Sequence, residues 1–132
     1  MLIEINMHSF SPIYEQLRDQ IVLGIAAGRL APNEHLPSVR GLAADLGINF
    51  HTVNKAYTML CDEGFIVIDR RKGALVAQSV TCDEEFISKL SQKLLLAAAE
   101  AACRNVSESD FIALCGNCYR AAKDNRVNGG TS

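Results

Sequence analysis

Apolar residues recur along this chain at helical spacing, then briefly at strand spacing, then at helical spacing again. Ile13, Leu17, Ile21 and Ile25 come every four residues, which lays one apolar stripe along a helix. Ser11-Pro12 offers an N-cap followed by a proline whose missing N–H is harmless in a first turn, and Gly28 stops the run. The pattern predicts a first helix over about Pro12 to Ala27. Leu2 to Ile5 alternates weakly ahead of it and reads as an edge strand or an ordered arm. Arg29 to Leu36 carries Pro32 and Asn33 and ends at Pro37, so it reads as a loop with Leu30 and Leu36 turned into the core. Ser38 then caps a short helix bearing Val39, Leu42, Ala43 and Leu46, and Gly47 stops it. Only Gly47 and Ile48 intervene before Asn49, which caps a third helix with Val53, Ala56, Tyr57 and Leu60 inward and Gly64 at its end.

Two short helices joined by a tight glycine-containing turn are a helix-turn-helix pattern. Phe65 to Ile68 and Ala74 to Ala77 are β-prone runs bracketing Asp69-Arg70-Arg71-Lys72-Gly73, a hairpin with a basic tip. Beyond Gln78 the spacing returns to helical. Thr81 and Glu84 have the spacing of a capping box, and Phe86, Leu90, Leu94, Ala97 and Ala101 run to about Arg104. Ser107 starts a last helix, with Phe111, Ile112, Leu114 and Cys115 apolar, which fades by Asp124 into an Asn128 to Ser132 end expected to be flexible. The expected fold is mostly α (α+β): a winged helix-turn-helix domain with a small β-hairpin wing over residues 1–78, then a two-helix unit over 79–132. In such a domain the third helix enters the major groove, about 12 Å wide, while the wing reaches phosphates or the adjacent minor groove.

Composition narrows the use of this fold. At 132 residues there is no room for a separate catalytic domain, and 48% hydrophobic content with a net charge of −2 argues against disorder. Residues 1–80 hold 7 basic and 8 acidic side chains and residues 81–132 hold 6 and 7, so any nucleic-acid contact must come from local placement of charge. No apolar run of about 18 residues or signal-like N-terminus is present, so a cytoplasmic protein without a membrane partner is expected. Cysteines at 61, 82, 103, 115 and 118 are odd in number and irregular in spacing, which reads as free thiols.

The candidate chemistry lies around the turn. Arg40 is the strong donor on the polar face of the second helix, and a planar bidentate donor suits phosphate or guanine. Asn49, Phe50, His51, Thr52 and Asn54 occupy the turn and the start of the third helix, where side chains meet base edges. Asn49 doubles as a cap, Thr52 suits a phosphate, Asn54 an adenine edge, and Phe50 either a thymine methyl or packing against the turn. Arg70, Arg71 and Lys72 ahead of Gly73 suit phosphates at the wing. Cys115-Gly116-Asn117-Cys118 has a spacing shared by zinc and thiol-redox sites, but only Cys103 lies near as a third ligand, and a βαβ context is lacking. No metal or cofactor is expected, and the alternative it leaves is a thiol-responsive regulator. Without a Gly-rich phosphate loop, paired catalytic carboxylates or a Cys-His arrangement, an enzyme is not expected. A winged helix serving only protein interaction is the other alternative, and it has no need of Arg40 or a basic wing.

Pro12-Ile13-Tyr14-Glu15-Gln16-Leu17, Leu36-Pro37-Ser38-Val39-Arg40-Gly41-Leu42-Ala43, Thr52-Val53-Asn54-Lys55-Ala56-Tyr57 and Glu63-Gly64-Phe65-Ile66 together resemble the GntR family of bacterial transcription regulators, over about residues 10–77. The short two-helix tail resembles the YtrA subfamily. The resemblance implies that the arginine at position 40 contacts DNA, and Ser38, Lys55 and Gly73 join the expected DNA-binding set. It also implies a homodimer held by the C-terminal helices, repressing an operon that commonly includes its own gene and ABC transporter genes. Three positions depart from the family's habit: Phe50 where Pro or a polar residue is commoner, His51 where Asn or Thr is, and Arg71 where a second glycine is usual. Base preference therefore does not carry over. The stripe Phe86, Leu90, Leu94, Ala97 and Ala101, with Phe111, Ile112 and Leu114, has too little of its own chain to cover it, so a two-fold partner is expected. Double-stranded DNA with a pseudo-palindromic operator follows, and a small-molecule effector of unknown identity has room only at a dimer or domain interface.

Overall fold

Leu17 and Ile21, one turn apart, have no exposed surface, and they set the inward face of helix α1 (Ile13–Ala26). The computed structural model describes residues 3–124 of the chain, so Leu2 and the Asn128 to Ser132 end lie outside the described residues. The chain divides between Val80 and Thr81. The first unit continues with α2 (Val39–Leu46), α3 (Phe50–Asp62), β1 (Ile66–Asp69) and β2 (Gly73–Val76), and the second holds α4 (Glu84–Cys103) and α5 (Glu108–Lys123).

Helix α1 starts one residue later than its sequence suggests. Pro12 itself takes the N-cap position with no side-chain cap, and the Pro12 carbonyl accepts the first helical N–H bonds, leaving Ser11 outside. Further along, Gly24 lets the following loop close. A Cβ there would stand 3.0 Å from Leu30 Cδ1, and Leu30 is buried, as the loop reading expected. Ahead of α1 the described residues 3–12 form an arm and no strand. Ile3 and Ile5 pack on the core, while Gln16 and Gln20, four residues apart on α1, each act as a peptide group would. Gln16 accepts from Asn6 N at 2.8 Å and donates back to Asn6 O at 3.0 Å; Gln20 accepts from Glu4 N at 2.9 Å and donates to Glu4 O. The helix side chains thus supply the pairing that a neighbouring strand would have given.

Local chemistry sets the helix-turn-helix. Ser38 Oγ accepts from Gly41 N at 3.0 Å, Gly47 turns the chain at φ +67°, and Asn49 Oδ1 accepts from His51 N at 2.7 Å. Helix α3 buries Val53, Ala56, Tyr57 and Leu60, the four positions its spacing picked out. The Tyr57 hydroxyl donates to the Pro37 carbonyl at 2.7 Å, and burial pushes its pKa up to about 12. Arg18 on α1 grips Glu63 beyond α3 with both ends of its fork, at 2.9 and 2.8 Å, and lies 5.6 Å from the Phe65 ring centre.

Strands β1 and β2 pair antiparallel, Ile66 opposite Val76 and Asp69 opposite Gly73. Each boundary is shifted one residue from the sequence reading, toward the turn. The segment read as a plain loop does more than connect. Asn33 N donates to Val76 O, Val76 N to Glu34 O and Leu36 N to Ala74 O, all at 2.9 Å, so residues 33–36 lie along the other edge of β2. Ile66 and Val76 are buried beneath, completing the core.

In the second unit, Asp83 caps α4 through its carboxylate, accepting from Phe86 N at 2.8 Å. This corrects the Thr81–Glu84 capping box: the helix begins with Glu84, so Asp83, not Thr81, stands where a side-chain oxygen reaches the free N–H groups. Ser107 caps α5 as expected, accepting from Asp110 N at 3.1 Å. Neither helix has a single buried residue.

Candidate nucleic-acid interface

The side chains singled out around the turn fall on one exposed ridge built by the end of one cap and the start of another. Ser38 fixes the first turn of α2 and so the direction of Arg40, two residues on; Asn49 fixes the first turn of α3 and so the positions of Phe50 and His51. Arg40, Asn49, Phe50, His51, Asn54 and Lys55 are exposed and Thr52 is half-buried. The inward positions of α3 are all apolar or tyrosine, so its polar residues have no other direction to face.

Two separate ring contacts order the two cations there. The Arg40 guanidinium carbon stands 5.0 Å from the centre of the Phe50 ring, and Phe50 meets His51 edge to face at 5.4 Å and 82°. Lys55 Nζ stands 3.9 Å from the centre of the Tyr14 ring on α1. Phe50 therefore packs against Arg40 and His51 where the sequence left it divided between a base contact and the turn. Tyr14, which the sequence reading did not weigh, positions Lys55; only its place in the first helical turn hinted at it.

The wing carries Arg70, Arg71 and Lys72 exposed between its strands. Gly73 has φ +80° and needs its freedom, whereas Arg71 is not in the left-handed region, so the turn closes without the family's second glycine. Asp69 does part of that work. Its Oδ1 accepts from Arg71 N at 2.7 Å and from Lys72 N at 2.9 Å, and those bonds hold its carboxyl below the usual carboxylate range. The signal was an aspartate at the head of a turn, read only as polar.

Away from the ridge, the second unit carries apolar surface and thiols. Phe86, Leu90, Leu94, Ile112 and Leu114 are exposed, as is Ala97, while Ala101 and Phe111 are half-buried. Cys82, Cys103, Cys115 and Cys118 are exposed free thiols, and Cys61 is half-buried, its thiol pushed up by burial and by Asp62. Among the described residues no group of three or more His, Cys, Asp or Glu side chains is placed to hold a metal ion, and no helix is long and apolar enough to cross a membrane.

Comparison with known proteins bears on the same region. The family model for bacterial regulatory proteins of the gntR family matches residues 13–76. The transcriptional repressor YtrA of Bacillus subtilis is 38% identical over 78 residues, 59% of this chain and 60% of its own. A transcriptional antiterminator from Listeria monocytogenes superposes with a TM-score of 0.86 at 25% identity, covering 92% of each chain. YtrA from Sulfolobus acidocaldarius, a GntR-family transcription factor, superposes with a TM-score of 0.65 at 42% identity over 75% of this chain and 99% of that one. The chain spans 60 to 74% of the length of the curated relatives it first matches. The matched region coincides with the unit that carries the ridge and the wing, and the chain belongs to the GntR family of bacterial regulatory proteins, in its YtrA subfamily, as a winged-helix DNA-binding transcription regulator.

Proposed function

We propose that this protein is a homodimeric repressor that reads one half-site of a pseudo-palindromic operator with each protomer and so silences its own operon, ABC transporter genes included. The observation that carries the DNA reading is the state of Arg40. It is exposed in the first turn of α2, with its guanidinium beside the first residue of α3, and it makes no hydrogen bond or ion pair among the described residues. Arg18, by contrast, spends its donors on Glu63 and Asp19. A guanidinium with five donors uncommitted suits a guanine edge or a phosphate. Around it Asn54 suits an adenine edge, Thr52 and Ser38 suit phosphates, and Lys55, Arg70, Arg71 and Lys72 supply positive charge on either side. Such a local cluster reconciles phosphate binding with a net charge of −2.

The homodimer rests on the second unit. Two helices that bury no residue of their own leave Phe86, Leu90, Leu94, Ile112 and Leu114 to be covered by the same face of a second copy, the arrangement that closes by two-fold symmetry. Repression follows by analogy with the YtrA repressor of Bacillus subtilis, through occlusion of polymerase at a promoter.

Fluorescence anisotropy on duplex DNA from immediately upstream of the protein's own gene tests the reading, as a salt titration with Arg40→Ala and a scrambled duplex beside it. Tight binding with a log-log salt slope of several units, at roughly 0.9 per neutralised phosphate, weakened by Arg40→Ala and lost on the scrambled duplex, is expected. Equal weak binding to both duplexes that ignores Arg40→Ala counts against autoregulation and favours the protein-interaction reading.

A further inference from the structure

Phe50 exposes its ring at the start of α3, and its surroundings give that ring a purpose. The Arg40 guanidinium lies over its ring, 5.0 Å from guanidinium carbon to ring centre. The ring is held in turn. Phe50 is the first residue of α3, its backbone is set by the Asn49 cap, and its other neighbour is His51, whose own N–H is bound by that cap. Arg40 is set independently by the Ser38 cap on α2. The contact therefore joins the two helices of the helix-turn-helix through exposed side chains, outside the core that joins them through Leu42, Ala43 and Val53.

A cation over a ring is held by its charge, so the contact leaves guanidinium N–H groups without a hydrogen-bond acceptor. An arginine without such a ring samples many rotamers in water, and binding must order it. Here the ring has ordered it already. We infer that Phe50 is a positioning residue for base recognition: it holds Arg40 with its donor edge outward, so that one guanine of the half-site is read through O6 and N7 by a preorganised side chain. The inference deepens the DNA-binding reading and rests on it. Guanine is favoured over phosphate because the pair sits at the N-terminal end of α3, where a recognition helix meets base edges. On this account Phe50 contributes through Arg40 and makes no essential contact with DNA itself.

Selection from a random-core duplex library with the full chain, followed by anisotropy on the selected duplex, tests this. The variants are Phe50→Leu, Phe50→Tyr, Arg40→Ala and the Arg40→Ala/Phe50→Leu double substitution, each with its thermal melt. Leucine keeps an apolar side chain and removes the π face; tyrosine keeps the face. Phe50→Leu is expected to melt as the wild type does, to bind about two- to fivefold more weakly, and to lose preference at one guanine position while the other positions keep theirs. Phe50→Tyr is expected to retain both affinity and preference. In the Arg40→Ala background Phe50→Leu is expected to add nothing. The same loss with and without Arg40 overturns the inference and makes Phe50 a DNA contact. A uniform loss across positions overturns the guanine assignment in favour of a phosphate, and an unchanged Phe50→Leu overturns the positioning role. A wild-type protein that selects no sequence overturns the DNA reading itself.

Discussion

At the scale of single residues, two side chains away from the bases govern how the reading head is held. Tyr57 is almost wholly buried and its hydroxyl donates to the Pro37 carbonyl. Its folded pKa, raised to about 12 from 10.0, favours the neutral phenol in the fold. The stability this gives is full below pH 10 and is lost as pH rises from 10 toward 12, because the unfolded chain ionises first. Tyr57→Phe is therefore expected to cost about 1 kcal/mol at neutral pH from the lost hydrogen bond. It is also expected to flatten the alkaline decline, by roughly 1–3 kcal/mol across that window, in urea melts run at a series of pH values. Asp69 acts on the wing. Its depressed pKa means that the turn contact is present above the ordinary carboxylate range and is lost only as pH falls through the lower folded value. Asp69→Ala is expected to loosen the tip and lower the log-log salt slope of DNA binding by about 1–2 units. Asp69→Asn keeps the acceptor and is expected to keep the slope, which separates geometry from charge in the same titration.

At the scale of elements, the caps decide the architecture and were the most legible part of the sequence. Ser38, Gly47, Asn49 and Ser107 fall where the sequence placed them because each solves a backbone problem within three residues of itself. Gly47 has φ +67° with open space where a Cβ would go, so Gly47→Ala carries a purely conformational cost. A loss of about 1–2 kcal/mol in denaturant midpoint analysis is expected, with Gly47→Asn recovering part of it. What the sequence hid were partners distant along the chain. Residues 33–36 carry no strand signal because their pairing is dictated by the β2 edge, and Gln16 and Gln20 look like any solvated pair until the arm arrives. Thr81 matched a capping pattern that Asp83 satisfies better by starting the helix later. Within the site, residue types were legible and their mutual contacts were not: neither Arg40 over Phe50 nor Lys55 over Tyr14 follows from spacing, since each pair joins different helices.

At the scale of the whole molecule, the two units face different tasks. The first buries a continuous core from Leu17 to Val76; neither helix of the second buries a residue, and in the proposed homodimer a second copy covers that face. Leu94→Glu is expected to leave the first unit folded and to change the solution mass from twice 14.4 kDa to a single chain in light scattering, with operator affinity falling as the linkage between half-sites is lost. Within the first unit, three consecutive residues tie the reading parts together. Leu36 bonds to the wing strand, Pro37 receives the hydroxyl of α3, and Ser38 caps α2. On the proposed DNA reading, phosphates held at the wing act on α2 and α3 through that span of three residues, and hydrogen exchange is expected to show these parts opening as one unit. On that reading grip on the backbone and discrimination among bases are coupled quantities: a duplex that holds the wing still is expected also to quiet the helix that reads it, whatever its sequence.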